Sequence, residues 1–203
     1  MDLRGPLYIF AAFALYSALH SALAARSVKE WVRNRFGETG KRYYRLVYNV
    51  IGVVTLLPIL ALLAAFRGEP LYTWPSPWIL VALVIQGAGA LIIVIGLLQT
   101  GVWSFFGLEV LSGGSHSSQD ELITSGLYGC MRHPLYTGGL LMLWFMPIMT
   151  TSLLAFNIAS TLYLYVGSIF EEQRMLAAFG EDYARYRKRV PRLIPIPGCP
   201  DND

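Results

Sequence analysis

Apolar residues are concentrated in four tracts, at positions 7–25, 46–66, 78–98 and 135–170, with polar and charged residues gathered between and after them. One membrane crossing needs about 20 apolar residues, so each of the first three tracts predicts one spanning helix. The fourth is about twice too long for a single crossing and holds a polar break at Met149-Thr150-Thr151-Ser152. It predicts two short helices, 135–150 and 153–170, folded as a hairpin. Beyond it, Glu171 to Arg189 predicts an amphipathic helix with Met175, Leu176, Phe179, Tyr183 and Tyr186 as its apolar stripe, interrupted near Gly180. The expectation is an all-α integral membrane protein in one domain: five transmembrane helices, the last two a helical hairpin, and a cytoplasmic C-terminal amphipathic helix within a tail at 171–195.

Composition supports this class. Of 203 residues, 55% are hydrophobic and 14% charged, where a soluble domain carries about 25% charged residues. Charge placement then sets the crossing number. Fourteen of the sixteen Lys and Arg residues lie in the first loop (26–45), at Arg132 or after position 170, and only Arg4 and Arg67 remain for the other side. Cytoplasmic loops collect Lys and Arg, and an odd number of crossings with the N-terminus outside puts all fourteen on that face. The segment 7–25 ends in small residues like a cleaved signal, but its strong basic cluster follows the apolar run. That polarity fits a retained helix inserted with its N-terminus outward. The net charge of +3 calls for no nucleic acid, since anionic headgroups suit the basic residues. Cys130 and Cys199 fall on the predicted cytoplasmic side, where disulfides are rare, and their spacing indicates no metal site.

The chemistry gathers at the hairpin. Arg132-His133-Pro134-Leu135-Tyr136 precedes its first helix, with Pro134 suited to the first helical turn, and Glu171-Glu172 follows its second. Helices of similar length bring these clusters level at one membrane face, and Gly138-Gly139 allows close helix approach. Each residue alone has an ordinary structural reading: Arg132 reaching to phosphates, His133 capping a helix, the glutamates solvated. As a set, they suit a ligand with an ammonium for a carboxylate, a carboxylate for Arg and a cationic or aromatic part for tyrosines. S-adenosylmethionine has all three.

Gly126-Leu127-Tyr128, the Arg-His-Pro-Leu-Tyr cluster, the Glu pair, Phe179-Gly180-Glu181-Asp182-Tyr183, Tyr186 and Val190-Pro191-Arg192 resemble, in order and spacing, the isoprenylcysteine carboxyl methyltransferase and phospholipid methyltransferase superfamily. The likeness covers about residues 120–195. It implies a membrane-embedded methyltransferase using S-adenosylmethionine. The cofactor would be held by Asp120, Glu121, Leu122, Ile123, Tyr128, His133, Pro134, Leu135, Tyr136 and Glu171, with the C-terminal helix folded over the pocket. Arg132 and Glu172 are the candidates for a catalytic role, Glu172 or His20 assisting deprotonation of the acceptor. His20 is the candidate acceptor residue.

In the isoprenylcysteine enzymes an Arg stands one turn before the first Glu; here that place is Gly167, which disfavours a carboxylate acceptor. Leu15-Tyr16-Ser17-Ala18-Leu19-His20-Ser21 and Arg45-Leu46-Val47-Tyr48-Asn49 are similar to bacterial membrane proteins that include methanethiol S-methyltransferases and denitrification-associated accessory proteins. The expected acceptor is a small thiol or lipophilic molecule reached from the bilayer. Phospholipid amine or isoprenylcysteine methylation is the alternative within the enzyme class, and a non-catalytic accessory or transport protein the alternative outside it.

Overall fold

The computed structural model describes residues 3–112 and 122–195. Its helices are α1 (Arg4–Ala24), α2 (Arg26–Ala65), α3 (Trp78–Thr100), α4 (Val102–Phe106), α5 (Leu127–Cys130), α6 (Pro134–Trp144) and α7 (Thr151–Arg189), with a 3-10 turn at Leu108–Ser112. Two short strands, β1 (Pro70–Thr73) and β2 (Ile148–Thr150), pair with each other. Among the described residues, four helices are long and apolar enough to cross a membrane: α1, α2, α3 and α7. Such helices satisfy every backbone polar group internally, as a bilayer demands.

The expected spans 7–25, 46–66, 78–98 and 153–170 fall essentially on these four helices. The tract at 135–150 departs from expectation. It is helical for only the 11 residues of α6, about 16 Å at 1.5 Å per residue, roughly half a hydrocarbon core of about 30 Å. The cause is Pro147, which disfavours helical backbone at the residue before it. The chain runs on as β2 before α7 begins at Thr151. A proline inside α2, Pro58, is by contrast carried within the helix, as spanning helices permit.

The chain falls into two compact units. The first holds α1, α2, α4, the 3-10 turn and the first ten residues of α7. Ala25, in extended conformation, is the single residue between α1 and α2, and the Tyr44 hydroxyl donates to the Leu23 carbonyl beside this turn. Gly37 breaks α2 with φ +60°, a left-handed conformation that glycine adopts without the Cβ penalty. Arg45 donates to the Ser104 carbonyl at 2.7 Å and Arg42 to the Val110 carbonyl at 3.1 Å, fixing α4 and the 3-10 turn against α2.

The second unit holds α3, α5, α6 and α7 from Thr161 onward. Helices α3 and α6 meet through glycines: a Cβ on Gly138 would lie 2.6 Å from the Gly89 carbonyl oxygen, and one on Gly89 2.7 Å from that of Gly138. Gly138 thus supplies the expected close approach, while Gly139 faces open space. Helix α7 continues past its apolar stretch to Arg189 and is broken at Gly180, φ +56°. The expected interruption of the tail falls on that residue.

The backbone contact at Gly89 and Gly138 predicts that Gly138→Val forces α3 and α6 apart. Overpacking of this kind costs about 1–3 kcal/mol, read as a lowered thermal midpoint in detergent, whereas Gly139→Ala changes stability by no more than about 0.5 kcal/mol.

Candidate functional site

The site lies in the second unit and begins with a backbone crossing. After an extended Met131 the chain bends at Arg132, and Pro134 opens α6 with His133 at its N-cap. The Arg132 amide donates to the Pro191 carbonyl at 2.9 Å and the His133 amide to that of Arg192 at 3.1 Å. The tail therefore lies along the residues that lead into α6. The Thr137 hydroxyl adds a bond to the Leu193 carbonyl at 2.7 Å.

Consecutive residues on a helix point about 100° apart, so Glu171 and Glu172 of α7 face different surroundings. Glu172 is 2% exposed. Its Oε1 accepts from Arg132 Nε at 2.9 Å, Arg132 Nη2 at 2.7 Å and Arg192 Nε at 3.0 Å, and lies 3.3 Å from His133 Nε2. Its Oε2 accepts from Arg192 Nη2 at 2.9 Å. Arg132 completes the knot through Nη1, which donates to the Arg187 carbonyl at 2.9 Å and to that of Val190. The Arg192 guanidinium sits 5.5 Å over the Tyr165 ring, and its bond to the Glu172 carboxylate raises its pKa above the usual guanidinium value.

Glu171 is different. Its side chain is 42% exposed. Oε2 accepts from the Tyr136 hydroxyl at 2.8 Å and lies 3.5 Å from His133 Nδ1. The His133 ring stacks on Tyr136 with centroids 5.1 Å apart and planes at 9°. His133 thus stands between the two carboxylates, one nitrogen towards each. Tyr128 is set by α5, whose first amide, that of Leu127, donates to Gln99 Oε1 at 3.2 Å, and its carbonyl accepts from the Tyr186 hydroxyl at 2.6 Å. Burial, with the nearby Glu171 charge, pushes the Tyr128 phenol up to about 12 against a hydrogen bond with Thr100 that lowers it. The hydroxyl is therefore a donor throughout the physiological range.

The structure brings together Arg132, His133, Tyr136, Glu171 and Glu172. Leu122 packs against the cluster of Tyr183, Tyr186 and Val190, beside Met175 and Phe179. Ile123 is half-buried. Leu135 and Pro134 face the Gly96 position of α3, a packing contact. Asp120 and Glu121 lie outside the described residues. His20 lies in the first unit, stacked on Tyr16 at 5.5 Å and tilted against Tyr48 at 4.2 Å, with Gly52 leaving room for its ring.

Sequence reasoning left Arg192, Thr137 and Gln99 out of the site. Arg192 had a signal: it is the one cation inside the proline-punctuated segment 190–195, on the same predicted face as Arg132. Among the described residues no group of three or more His, Cys, Asp or Glu is placed to hold a metal ion.

Apolar spanning helices together with this charged knot define an integral membrane protein with a buried ionic cluster. A family model described as "Phospholipid methyltransferase" matches residues 78–182, a stretch that runs from α3 to beyond the Glu pair. The chain belongs to that family. Among curated relatives it is 30% identical to "Methanethiol S-methyltransferase 1" of Bradyrhizobium diazoefficiens over 188 residues, 90% of this chain and 64% of the relative. It is 31% identical to "Methanethiol S-methyltransferase 2" of the same organism, covering 90% of this chain and 70% of the relative. A shorter likeness, 36% identity over 83 residues (37% of this chain, 33% of the relative), links it to "Protein-S-isoprenylcysteine O-methyltransferase" of Schizosaccharomyces pombe. The chain thus spans about two thirds of the length of the first two relatives. No solved structure matches it.

The unequal surroundings of the two carboxylates predict unequal consequences. Glu172→Ala leaves two guanidinium groups without their counter-ion, a loss of about 3–5 kcal/mol for a buried pair. Glu171→Ala, at a half-open position, costs less than about 1 kcal/mol. Thermal unfolding of the two variants in the same detergent checks the order.

Proposed function

We propose that the protein is an S-adenosylmethionine-dependent methyltransferase whose acceptor is a thiol. The observation that carries this reading is the difference between the glutamates. Glu172 is saturated by arginines, whereas Glu171 keeps a partly open carboxylate already oriented by Tyr136 and His133. An open, oriented carboxylate beside aromatic rings suits a cationic ligand, and the names of the relatives, all methyltransferases, supply the class of ligand.

In this reading Glu171 accepts from the ammonium of the bound donor, Tyr136 and His133 hold Glu171 in place, and the Tyr128 hydroxyl offers a further donor. Leu122 and Ile123 lie at the edge of the cradle, and Asp120 and Glu121 precede them. When bound, S-adenosylmethionine supplies a sulfonium methyl, so the protein's contribution is positioning. Transfer to a thiol would form a sulfur–carbon bond at the expense of the donor's own, with the thiol proton released to solvent, so no residue of the chain is required to bond the methyl group. A thiolate is nucleophilic without a strong base. Glu172 is therefore assigned to holding the site together, with Arg132, rather than to proton transfer.

Gly167 supports the thiol over a carboxylate acceptor, since no cation stands one turn before Glu171 and the place of its Cβ is open. The arginine-rich face is taken as cytoplasmic in an inner membrane, with the N-terminus outside. In this topology α6 and the extended residues after it complete a fifth crossing.

Calorimetry with S-adenosylhomocysteine should show binding to the parent protein. Glu171→Ala and Tyr136→Phe should weaken it about tenfold or more, the usual loss for a hydrogen bond to a charged group. Absence of binding in detergent and in nanodiscs alike would falsify the reading. Transfer of a labelled methyl group to methanethiol, in preference to phosphatidylethanolamine and a prenylcysteine assayed alongside, is the expected outcome for the acceptor. Binding with no transfer to any acceptor points instead to an accessory or transport role.

A further inference from the structure

The polar end of α2 carries a surface that the methyl-transfer reading does not use. Residues 26–36 hold Arg26, Lys29, Arg33 and Arg35 against the single acid Glu30. Val28, Trp31, Val32 and Phe36 recur at helical spacing on one side. Trp31 is 61% and Phe36 57% exposed, and the Arg35 guanidinium lies 5.8 Å over the Phe36 ring. This short helix is set off from the rest of α2 by the left-handed Gly37. The corner is tight: a Cβ on Gly40 would lie 2.7 Å from the Phe36 Cβ and 3.0 Å from Val32 Cγ1. The amphipathic helix thus packs closely against the start of the helix that enters the bilayer.

A second aromatic edge is fastened to the same region. Arg42 and Arg45 bind the carbonyls of Val110 and Ser104, and the Asn49 amide donates to the Phe105 carbonyl at 3.1 Å. The segment they hold presents Trp103 and Leu111, 67% and 68% exposed. Directly beyond Arg45 the apolar part of α2 begins. Exposed aromatics, a dense cationic face and the start of a spanning helix therefore coincide along one stretch of α2.

We infer that residues 26–36, with α4 and the 3-10 turn, form a collar that lies in the membrane surface and binds anionic lipid headgroups. The occupant follows from charge and continuity. Within residues 26–36, four cations against one acid select a negatively charged surface, and the 3-10 turn adds only Glu109. Trp and Phe beside them are the side chains that settle at headgroup depth. The adjoining helix already lies in lipid. This inference stands whether or not the site of the second unit transfers methyl groups.

Full-length protein reconstituted in phosphatidylcholine with phosphatidylglycerol, then extracted, should retain phosphatidylglycerol above its bulk fraction by lipid mass spectrometry. The double variant Arg33→Glu/Arg35→Glu should lower that enrichment by about fivefold or more, each surface cation counting for about that factor. A second measurement needs no charge variant. Nitroxide lipids labelled at the headgroup should quench Trp31 emission, read as the difference between the parent protein and Trp31→Phe. Equal enrichment in parent and double variant, an unquenched Trp31, or cross-links from Lys29 to a second copy that show the face covered by protein would each overturn the inference.

Discussion

The Glu172 carboxylate organises the second unit because three separated stretches of chain depend on it. Arg132 comes from the short connection into α6, Arg192 from the segment after α7, and Glu172 itself from the middle of α7. Removing charge from water is costly, and a buried pair often adds little net stability compared with a hydrophobic replacement. Its value is directional. Guanidinium and carboxylate meet in few geometries, so the knot settles where the tail lies as well as whether it lies there. The carbonyls of Arg187, Val190, Pro191 and Arg192 then find donors in Arg132 and His133. The apolar contacts of Tyr183, Tyr186 and Val190 close over this arrangement.

With Glu172 committed to the arginines, the more open carboxylate is that of its neighbour Glu171, set beside rings that are already stacked. His133 and Tyr136 are one helical turn apart at the start of α6, which accounts for their parallel rings and their common partner in Glu171. Pro134 between them begins the helix at the required residue. The family relationship is consistent with this economy: the matched region ends at residue 182, while Arg192, which completes the knot, lies beyond it.

Much of this was legible in the sequence, for physical reasons. Long apolar tracts are the strongest signal a chain can carry, so α1, α2, α3 and α7 were recoverable from hydropathy. A cluster such as Arg132–Tyr136 is conspicuous because ionisable residues are scarce in such a chain. What hydropathy could not show was where an apolar tract stops being helical. Residues 145–150 are as apolar as those before them, and only Pro147 marks the change to extended backbone. The partners of Glu172 were hidden for a different reason. Both glutamates look alike in sequence, and only the angle between successive helical positions separates a buried one from an open one.

That angle has a consequence for how such chains can vary in length. Inserting or deleting a single residue in α7 ahead of Glu171 would rotate everything after it by about 100° and shift it by about 1.5 Å. The enclosed carboxylate and the accessible one would lose their places together, and neither substitution at Arg132 nor at Tyr136 could restore both. The stretch between Thr161 and Glu172 is therefore closed to insertions and deletions during divergence, even though most of its side chains are interchangeable apolar residues.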